Sequence, residues 1–370
     1  MDGLDAGPGF DELFGVPPVV FAEAPGRINL LGEHTDYNGG LALPSPLGLW
    51  TRVELRPMPG GQVRAFSTLA GGPVEGALDE PRRRGDWLDY VLGAALVLRK
   101  AGHRVGGFAV RIASEVPPGS GLSSSASLLV ALLRALRTAY GLPLSDLELA
   151  ERAQQAEVEF VGAPVGLMDH LVISLGRPGE ALLLDLGARR FEAVPLPPGG
   201  EMAVLDSGLR HHHADGASYA ARRAECERAA ALLGVPCLGV LGEGDLPRLS
   251  ALPPELARRA RHVITEDERV LAAVRALRAG HWSALGALLV QGHVSLRDDF
   301  AVSLPEIDLL VEMACAEADV LGARLCGGGF GGAVVVATKA GQARQVAEQV
   351  VGRYRQSTGR PGAVLWPPGG

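Results

Sequence analysis

A glycine- and serine-rich loop, residues 117–127, joins a predicted strand to a predicted helix. Before the loop, Phe108, Val110 and Ile112 alternate with two other residues, which is the period of a strand. After it, apolar residues recur at helical spacing from about Ser124 to Tyr140, and Gly141-Leu142-Pro143 ends that pattern. This strand–loop–helix unit indicates a chain that mixes strands and helices.

Such a loop is suited to binding an anion. Its glycines let several backbone N–H groups converge, and the following helix adds the partial positive charge of its N-terminus. A flexible linker has a similar composition, but a linker would not run directly into an apolar helix. The chain has lysine only at Lys100 and Lys339, so the lysine-containing phosphate loop of P-loop enzymes is absent.

The composition restricts the class of protein. The 370 residues suffice for two domains, and the net charge of −7 argues against a non-specific nucleic-acid binder. The sequence has neither an apolar run long enough for a membrane span nor an N-terminal secretory signal. The four cysteines have no C-x-x-C spacing, so we expect free thiols in the cytoplasm, with no zinc or redox motif.

The chain is predicted to have two halves, 1–190 and 191–370, with a proline- and glycine-rich linker at 195–200. In the first half, a capping box at Ser145 starts a helix that ends near Gly162. Glu157 lies beside its apolar stripe, where it either binds a cation or pairs with an arginine. The predicted strands include 19–55 (with turns), 181–186 and 333–338, and the later helices are 219–233, 254–277, 283–290 and 305–318.

Three further segments carry chemistry. Residues 24–40 concentrate long polar side chains within an apolar frame, and their carboxylates and imidazole suit the hydroxyls of a sugar better than a metal. Asp169 precedes an apolar run, where it is either a functional carboxylate or a helix cap. Five glycines within 326–332 indicate close backbone approach to a ligand, or a tight turn.

Three of these blocks resemble the signature motifs of the GHMP kinase superfamily. The block G-R-I-N-L-L-G-E-H-T-D-Y-N-G-G, residues 26–40, is similar to the galactokinase signature in particular, as are G-L-M-D-H at 166–170 and S-G-L-R-H at 207–211. The stretches R-H-V-I-T-E at 261–266 and S-L-R-D-D-F at 295–300 continue the likeness, which covers roughly residues 14 to 355.

The resemblance implies an α+β, two-domain GHMP kinase fold. Its N-terminal domain would be like ribosomal protein S5, its C-terminal domain ferredoxin-like, and its active site would lie in the cleft between them. The implied activity is ATP-dependent phosphorylation of α-D-galactose at the anomeric hydroxyl, the first committed step of galactose metabolism (the Leloir pathway). The implied ligands are galactose, ATP and Mg²⁺, with no nucleic acid, membrane or obligate protein partner.

The resemblance also implies a role for each matching residue. Asp169 would be the catalytic base and Arg27 would steady charge near the transferred phosphoryl group. The other implied sets are sugar ligands (Glu33, His34, Thr35, Asp36, Tyr219), the ATP-phosphate loop (Gly119, Ser120, Gly121, Leu122, Ser123, Ser124, Ser125), aromatic residues near the adenine (Trp87, Tyr90) and Mg²⁺ ligands (Ser125, Glu157).

Some alternatives stay open on the sequence alone. His170 and Cys326 stand where galactokinases usually carry Gln and Thr. A related kinase acting on N-acetylgalactosamine or L-arabinose, and a non-catalytic sugar sensor, would share much of the pattern; the presence of Arg27, Asp169, Ser125 and Glu157 favours an enzyme. The tract His211-His212-His213 looks like a metal site but is interpreted as a surface or loop feature.

Overall fold

The computed structural model describes residues 7–209 and 215–366, without side chains for 215–218. The helices are α1 Phe10–Phe14, α2 Leu88–Lys100, α3 Ser124–Tyr140, α4 Asp146–Ala156, α5 Met168–Leu175, α6 Asp215–Leu233, α7 Pro254–Arg278, α8 Trp282–Asp298, α9 Pro305–Cys315 and α10 Ala343–Thr358. The strands are β1 Val20–Asn29, β2 Leu41–Ala42, β3 Pro44–Met58, β4 Gln62–Ser67, β5 Val74–Ala77, β6 Gly107–Ser114, β7 Glu180–Asp185, β8 Arg190–Pro195, β9 Gly200–Asp206, β10 Val320–Cys326, β11 Ala333–Lys339 and β12 Ala363–Trp366.

The described residues form two compact units. Unit 1 comprises the residues up to Arg27, Pro46–Pro118 and Ser123–Gly176. Unit 2 comprises Ile28–Ser45, Gly119–Leu122 and the residues from Arg177 onward. The proline- and glycine-rich stretch at 195–200 joins β8 to β9 inside unit 2, so it does not link the two units. The division at residue 190 stays a prediction.

Unit 1 is built around a five-stranded sheet of order β1-β3-β6-β4-β5. Strands β3 and β6 are antiparallel, whereas β4 runs parallel to β6. Helices α2, α3 and α4 pack against one another, and α4 packs on α5. The Ser127 hydroxyl on α3 donates to Thr51 Oγ1 of β3 at 2.8 Å and lies 3.0 Å from the Ala24 carbonyl of β1, which fixes the start of α3 on the sheet.

Unit 2 contains a four-stranded antiparallel sheet of order β10-β11-β9-β12 and a small sheet of order β2-β7-β8. Helices α8, α9 and α10 pack on the larger sheet, and α7 packs between α6 and α8. The core consists mainly of aliphatic side chains from these helices and from the alternate positions of β9, β10 and β11 that face them.

Several local predictions are confirmed. Helix α3 has the predicted bounds, and Gly141 ends it with φ 60°. The capping box at the start of α4 is present, with the Ser145 N–H donating to Glu148 at 2.8 Å. Gly162 ends the segment with φ 87°, after one turn of π-helix at Glu157–Val161. None of the helices in the described part of the chain combines the length and the apolar character that a membrane crossing requires.

Candidate active site

In unit 1, Arg27 and Asp169 form a bidentate ion pair. Arg27 lies near the end of β1 and Asp169 in the first turn of α5. Arg27 Nε donates to Asp169 Oδ1 at 2.8 Å and Nη2 donates to Oδ2 at 2.6 Å. The arginine side chain is buried, but the Asp169 side chain is 27% exposed. The carboxylate is therefore fixed in orientation and still accessible to a small molecule.

A third donor reaches Asp169 from the glycine loop. Ser123 precedes α3 with left-handed backbone angles (φ 60°, ψ 51°), and its hydroxyl donates to Asp169 Oδ2 instead of capping the helix. Burial alone would raise the pKa of Asp169, but the Arg27 charge and the hydrogen bonds from Arg27 and Ser123 lower that pKa below its usual value. Asp169 is not the cap of α5, because Leu167 occupies that position.

A cavity of about 290 Å³ in unit 1 lies beside the start of α3. Its walls include Trp87, Tyr90, Ser124 and Ser125, for all of which the family resemblance implies a role in nucleotide binding. Ser67 also lines it. The cavity therefore combines an aromatic wall, which suits a planar base, with hydroxyls at a helix N-terminus, which suit phosphate.

Glu157 is 3% exposed and accepts a hydrogen bond from His170 Nε2 at 2.9 Å. The predicted alternative of an arginine partner is not what the structure shows, since the contact is with a histidine. Burial and the Glu157 charge together raise the pKa of Tyr90 to about 12, so Glu157 lies near the cavity wall. Within residues 7–209 and 215–366, no group of three or more His, Cys, Asp or Glu side chains is arranged to hold a metal.

The donors present nevertheless fit a magnesium ion bound together with nucleotide. Ser125 and Glu157 supply oxygen, which Mg²⁺ prefers, and Mg²⁺ usually completes its coordination with waters and substrate phosphates. Two protein ligands are therefore sufficient for such a site.

In unit 2, Glu33 is held inside the protein. Its side chain is 2% exposed; Oε1 accepts the Gly327 N–H at 2.6 Å and Oε2 accepts a hydrogen bond from Asn29. Glu33 therefore ties the 26–40 block to the glycine-rich turn that joins β10 to β11. Gly121 of the other glycine loop approaches the same turn, because a Cβ there would lie 3.0 Å from the Cys326 carbonyl oxygen.

His34 is buried and neutral. Burial, and next the nearby His262, lower the pKa of His34 to about 3. Its Nε2 lies 3.1 Å from the Gly328 carbonyl oxygen, which only accepts, so Nε2 carries the proton. Nδ1 then accepts the Tyr37 hydroxyl proton at 2.9 Å. The imidazole ring also contacts the Tyr219 ring, with 5.2 Å between centroids.

The other predicted sugar ligands differ in accessibility. Asp36 and Tyr219 are half-buried, and Asp36 begins a short 3₁₀ turn, Asp36–Asn38. Thr35 is fully buried, and its hydroxyl lies 2.8 Å from the Gly32 carbonyl oxygen and 2.6 Å from that of Leu41. We therefore assign Thr35 to the shape of the turn. The tract His211–His213 lies outside the described residues.

Sequence reasoning missed the residues that support the 26–40 block. Arg324 is fully buried; its Nη1 donates to Glu266 Oε1 at 2.8 Å and to the Leu30 carbonyl at 3.0 Å. The sequence signal for Glu266 was the stretch 261–266, which belongs to the family resemblance but which carried no assigned role. Arg324 lies outside that stretch.

Family models and relatives agree with these observations. A model described as the galactokinase galactose-binding signature matches residues 9–57, and models of the GHMP kinases N-terminal and C-terminal domains match 89–177 and 273–356. A galactokinase of Mycobacterium tuberculosis is 47% identical over 332 residues, 88% of this chain and 91% of that protein. The chain belongs to the galactokinase family. A galactokinase of Chloroflexus aurantiacus is 42% identical over 360 residues, 95% of this chain and 92% of that protein.

Solved structures confirm the fold. The Lactococcus lactis galactokinase complexed with galactose matches with a TM-score of 0.91 and 31% identity, covering 96% of this chain and 95% of that one. A mevalonate kinase of Methanococcus jannaschii, at 18% identity and a TM-score of 0.69, covers 95% of this chain and 98% of its own and shares the fold. The predicted two-domain α+β GHMP kinase fold and the kinase class are thereby confirmed.

Proposed function

We propose that this protein transfers the γ-phosphoryl group of ATP to the anomeric hydroxyl of α-D-galactose, giving galactose 1-phosphate and ADP. The observation that carries this proposal is the Arg27–Asp169 pair, a fixed and accessible carboxylate in a chain of the galactokinase family. A sugar sensor would have no use for an aspartate oriented by three donors.

In this reaction a bond forms between the sugar oxygen and the γ-phosphorus, and the bond from that phosphorus to the ADP oxygen breaks. The hydroxyl proton passes to Asp169, which is ionised at neutral pH because its pKa is lowered. A lowered pKa makes a weak base, but phosphoryl transfer through a loose transition state moves the proton late, so position matters more than basicity. Arg27 stays paired with Asp169 and offsets negative charge around the transferred group.

We assign sugar recognition to Glu33, His34, Asp36 and Tyr219. The neutral His34 ring packs on Tyr219 and, through Tyr37 and Gly328, keeps one orientation. Asp36 supplies a half-buried carboxylate that can accept hydrogen bonds from two sugar hydroxyls. Glu33 is bound to Gly327 and Asn29, so its contribution includes holding the glycine turn in place.

We assign nucleotide binding to the loop Gly119–Ser125 and to the cavity wall formed by Trp87 and Tyr90. ATP supplies the phosphoryl group, and Ser125 and Glu157 would hold a Mg²⁺ ion that neutralises phosphate charge. We place the reaction in the cytoplasm, which the four unbridged cysteines support because thiols persist in a reducing compartment.

The test is ADP release with galactose, glucose, N-acetylgalactosamine and L-arabinose. Glucose differs from galactose in the orientation of its C4 hydroxyl, so one of the proposed sugar ligands would lose a hydrogen bond when glucose is bound. We therefore expect kcat/KM to favour galactose by about 10²-fold or more. Equal efficiency on glucose, or a preference for either other sugar, would contradict the galactose assignment. If none of the four sugars supports ADP release, the proposal that the protein is a sugar kinase is contradicted.

A further inference from the structure

The segment 32–41 carries the proposed sugar ligands, and α7 holds both of its ends. The Gly32 N–H donates to Glu266 Oε1 at 2.8 Å, and the Leu41 N–H donates to Asp267 Oδ1 at 2.7 Å. Glu266 and Asp267 are adjacent residues of one helix. Two consecutive carboxylates therefore set the separation between the two ends of the segment.

A third residue of α7 holds the inside of the segment. His262 Nε2 lies 3.0 Å from the Glu33 carbonyl oxygen, which only accepts, so Nε2 donates and Nδ1 accepts from the Ser295 hydroxyl at 2.9 Å. Positions 262 and 266 are four residues apart and share one face of α7, and position 267 follows at the edge of that face. His262 thus fixes the main chain at the residue next to His34.

The helix is itself held rigidly at this point. Glu266 is fully buried and bonded to two arginines, Arg324 Nη1 at 2.8 Å and Arg269 Nε at 2.7 Å. A buried carboxylate with this many charged donors is costly to move. The segment has little room to relax either, because a Cβ at Gly32 would lie 2.5 Å from the Leu41 carbonyl oxygen.

We propose that His262, Glu266 and Asp267 are positioning residues that impose on segment 32–41 the conformation in which it binds the sugar. This inference rests on the proposed function. The three side chains act through backbone groups of the segment, so their loss should weaken galactose binding selectively. None of these contacts involves the loop Gly119–Ser125 or the cavity wall of Trp87 and Tyr90, so the affinity for nucleotide should be kept.

The experiment compares truncating and conservative variants in steady-state kinetics. D267A leaves the Leu41 N–H without its acceptor and H262A leaves the Glu33 carbonyl without its donor, and we expect the galactose KM to rise roughly 10-fold in each. The ATP KM should stay within about twofold. D267N and H262Q keep an acceptor or a donor at the same place and should recover most of the galactose affinity.

Val350→Ala is the matched control, because Val350 is fully buried in α10, a helix that packs on α9 and the larger sheet. It should lower Tm while leaving the galactose KM unchanged. A D267A or H262A variant that lowers Tm like Val350→Ala and leaves the ratio of galactose KM to ATP KM unchanged would overturn the proposal. If one alanine variant does not fold, the other gives the same comparison.

Hydrogen exchange without sugar separates this inference from the proposed function. Amides of the peptide covering segment 32–41 should exchange faster in D267A than in the wild type and in Val350→Ala. Unchanged protection would overturn the positioning role, whichever sugar the enzyme uses. A wild-type protein with no galactose activity but with this exchange pattern would refute the function and retain the structural part.

Discussion

The pKa of Asp169 is subject to two opposing effects. Burial favours its neutral form, whereas Arg27 and Ser123 favour the carboxylate, and the balance lowers its pKa. Its charge is therefore available at any pH at which the protein is assayed near neutrality. The arginine that weakens the base also fixes both oxygens, so orientation is gained at the expense of basicity.

Asp169→Asn should keep galactose and ATP binding and lower kcat by roughly 10²–10⁴-fold, which is the usual contribution of a general base. Asparagine has nearly the same shape and still accepts a hydrogen bond from Arg27, so the loss reports on proton transfer. The measurements are kcat by ADP release and both affinities by calorimetry. Turnover above about a third of the wild-type value would remove Asp169 from the role of base.

Glu157 offers a second test at the residue scale. If it binds the metal, Glu157→Gln should raise several-fold the Mg²⁺ concentration that gives half-maximal activity, with little change in galactose KM, because a carboxylate ligand is replaced by a neutral amide. Glu159→Gln is the control, since Glu159 lies on the same turn but pairs with Lys100 at the surface. Direct Mn²⁺ binding with ADP present gives a readout independent of turnover.

The opposite outcome is also specific. If Glu157 serves only to pair with His170, Glu157→Gln should lower Tm and leave the Mg²⁺ titration where it was. That result would remove Glu157 from the metal site without affecting the kinase assignment.

At the scale of helices and strands, the local signals predicted some boundaries well and others poorly. Helix α3 was predictable because Gly141 marks its end. Helix α8 was predicted only to Val290, but it continues to Asp298. Gly292 resembles a stop signal, yet it lies inside the helix. The position favours glycine because a Cβ there would come within 3.0 Å of Leu31 and 3.2 Å of Arg324. A glycine selected for close packing cannot be distinguished locally from one that ends a helix.

The contact between α7 and β2 predicts a dependence of stability on pH. Burial, and then the charges of Glu266, Glu268 and Asp185, raise the pKa of Asp267 to about 7 from 3.8, against the hydrogen bond from Leu41. The folded state therefore binds a proton that the unfolded state releases. The stability that this bound proton provides is fully present below about pH 4 and is lost as the pH rises through about 7.

Asp267→Asn should remove this dependence. The free energy of unfolding of the wild type should fall relative to that of the variant between pH 5 and pH 8, by at most about 2.7 kcal/mol, because only the roughly two pH units from 5 to 7 contribute, at about 1.36 kcal/mol each. Denaturant titrations of both proteins across that range measure the difference. Parallel curves would mean that Asp267 titrates normally.

At the scale of the whole molecule, the motifs could be predicted from the sequence, whereas the distant residues that hold them in place could not. Residues 26–40 and 166–170 stand out because unusual residue types are adjacent in sequence. Glu266 stabilises Gly32 from 234 positions away and Arg324 stabilises Leu30 from 294 positions away. Neither periodicity nor local composition reports such pairs. The chain also passes between the two units several times.

Ligand binding should stabilise the molecule by an amount that grows with the logarithm of the ratio of ligand concentration to Kd. Galactose at about 100 times its Kd should raise the free energy of unfolding by about 2.7 kcal/mol, because it binds only the folded chain. Glucose at the same concentration should produce a much smaller shift, and Asp169→Asn should respond to galactose like the wild type. Thermal shift assays measure all three. An equal shift with both sugars would contradict the proposed recognition by Asp36 and Glu33.

The hold of α7 on segment 32–41 has a consequence for biosynthesis. The ribosome makes Leu41 226 residues before Asp267, an interval on the order of 10–45 s at about 5–20 residues per second. Throughout that time the nascent chain contains Glu33, His34 and Asp36 but lacks the helix that shapes them. A message that stops between codons 220 and 261 therefore encodes all four proposed sugar ligands but not the helix that shapes segment 32–41. On this reasoning, galactose cannot assist the folding of the chain until α7 has left the exit tunnel.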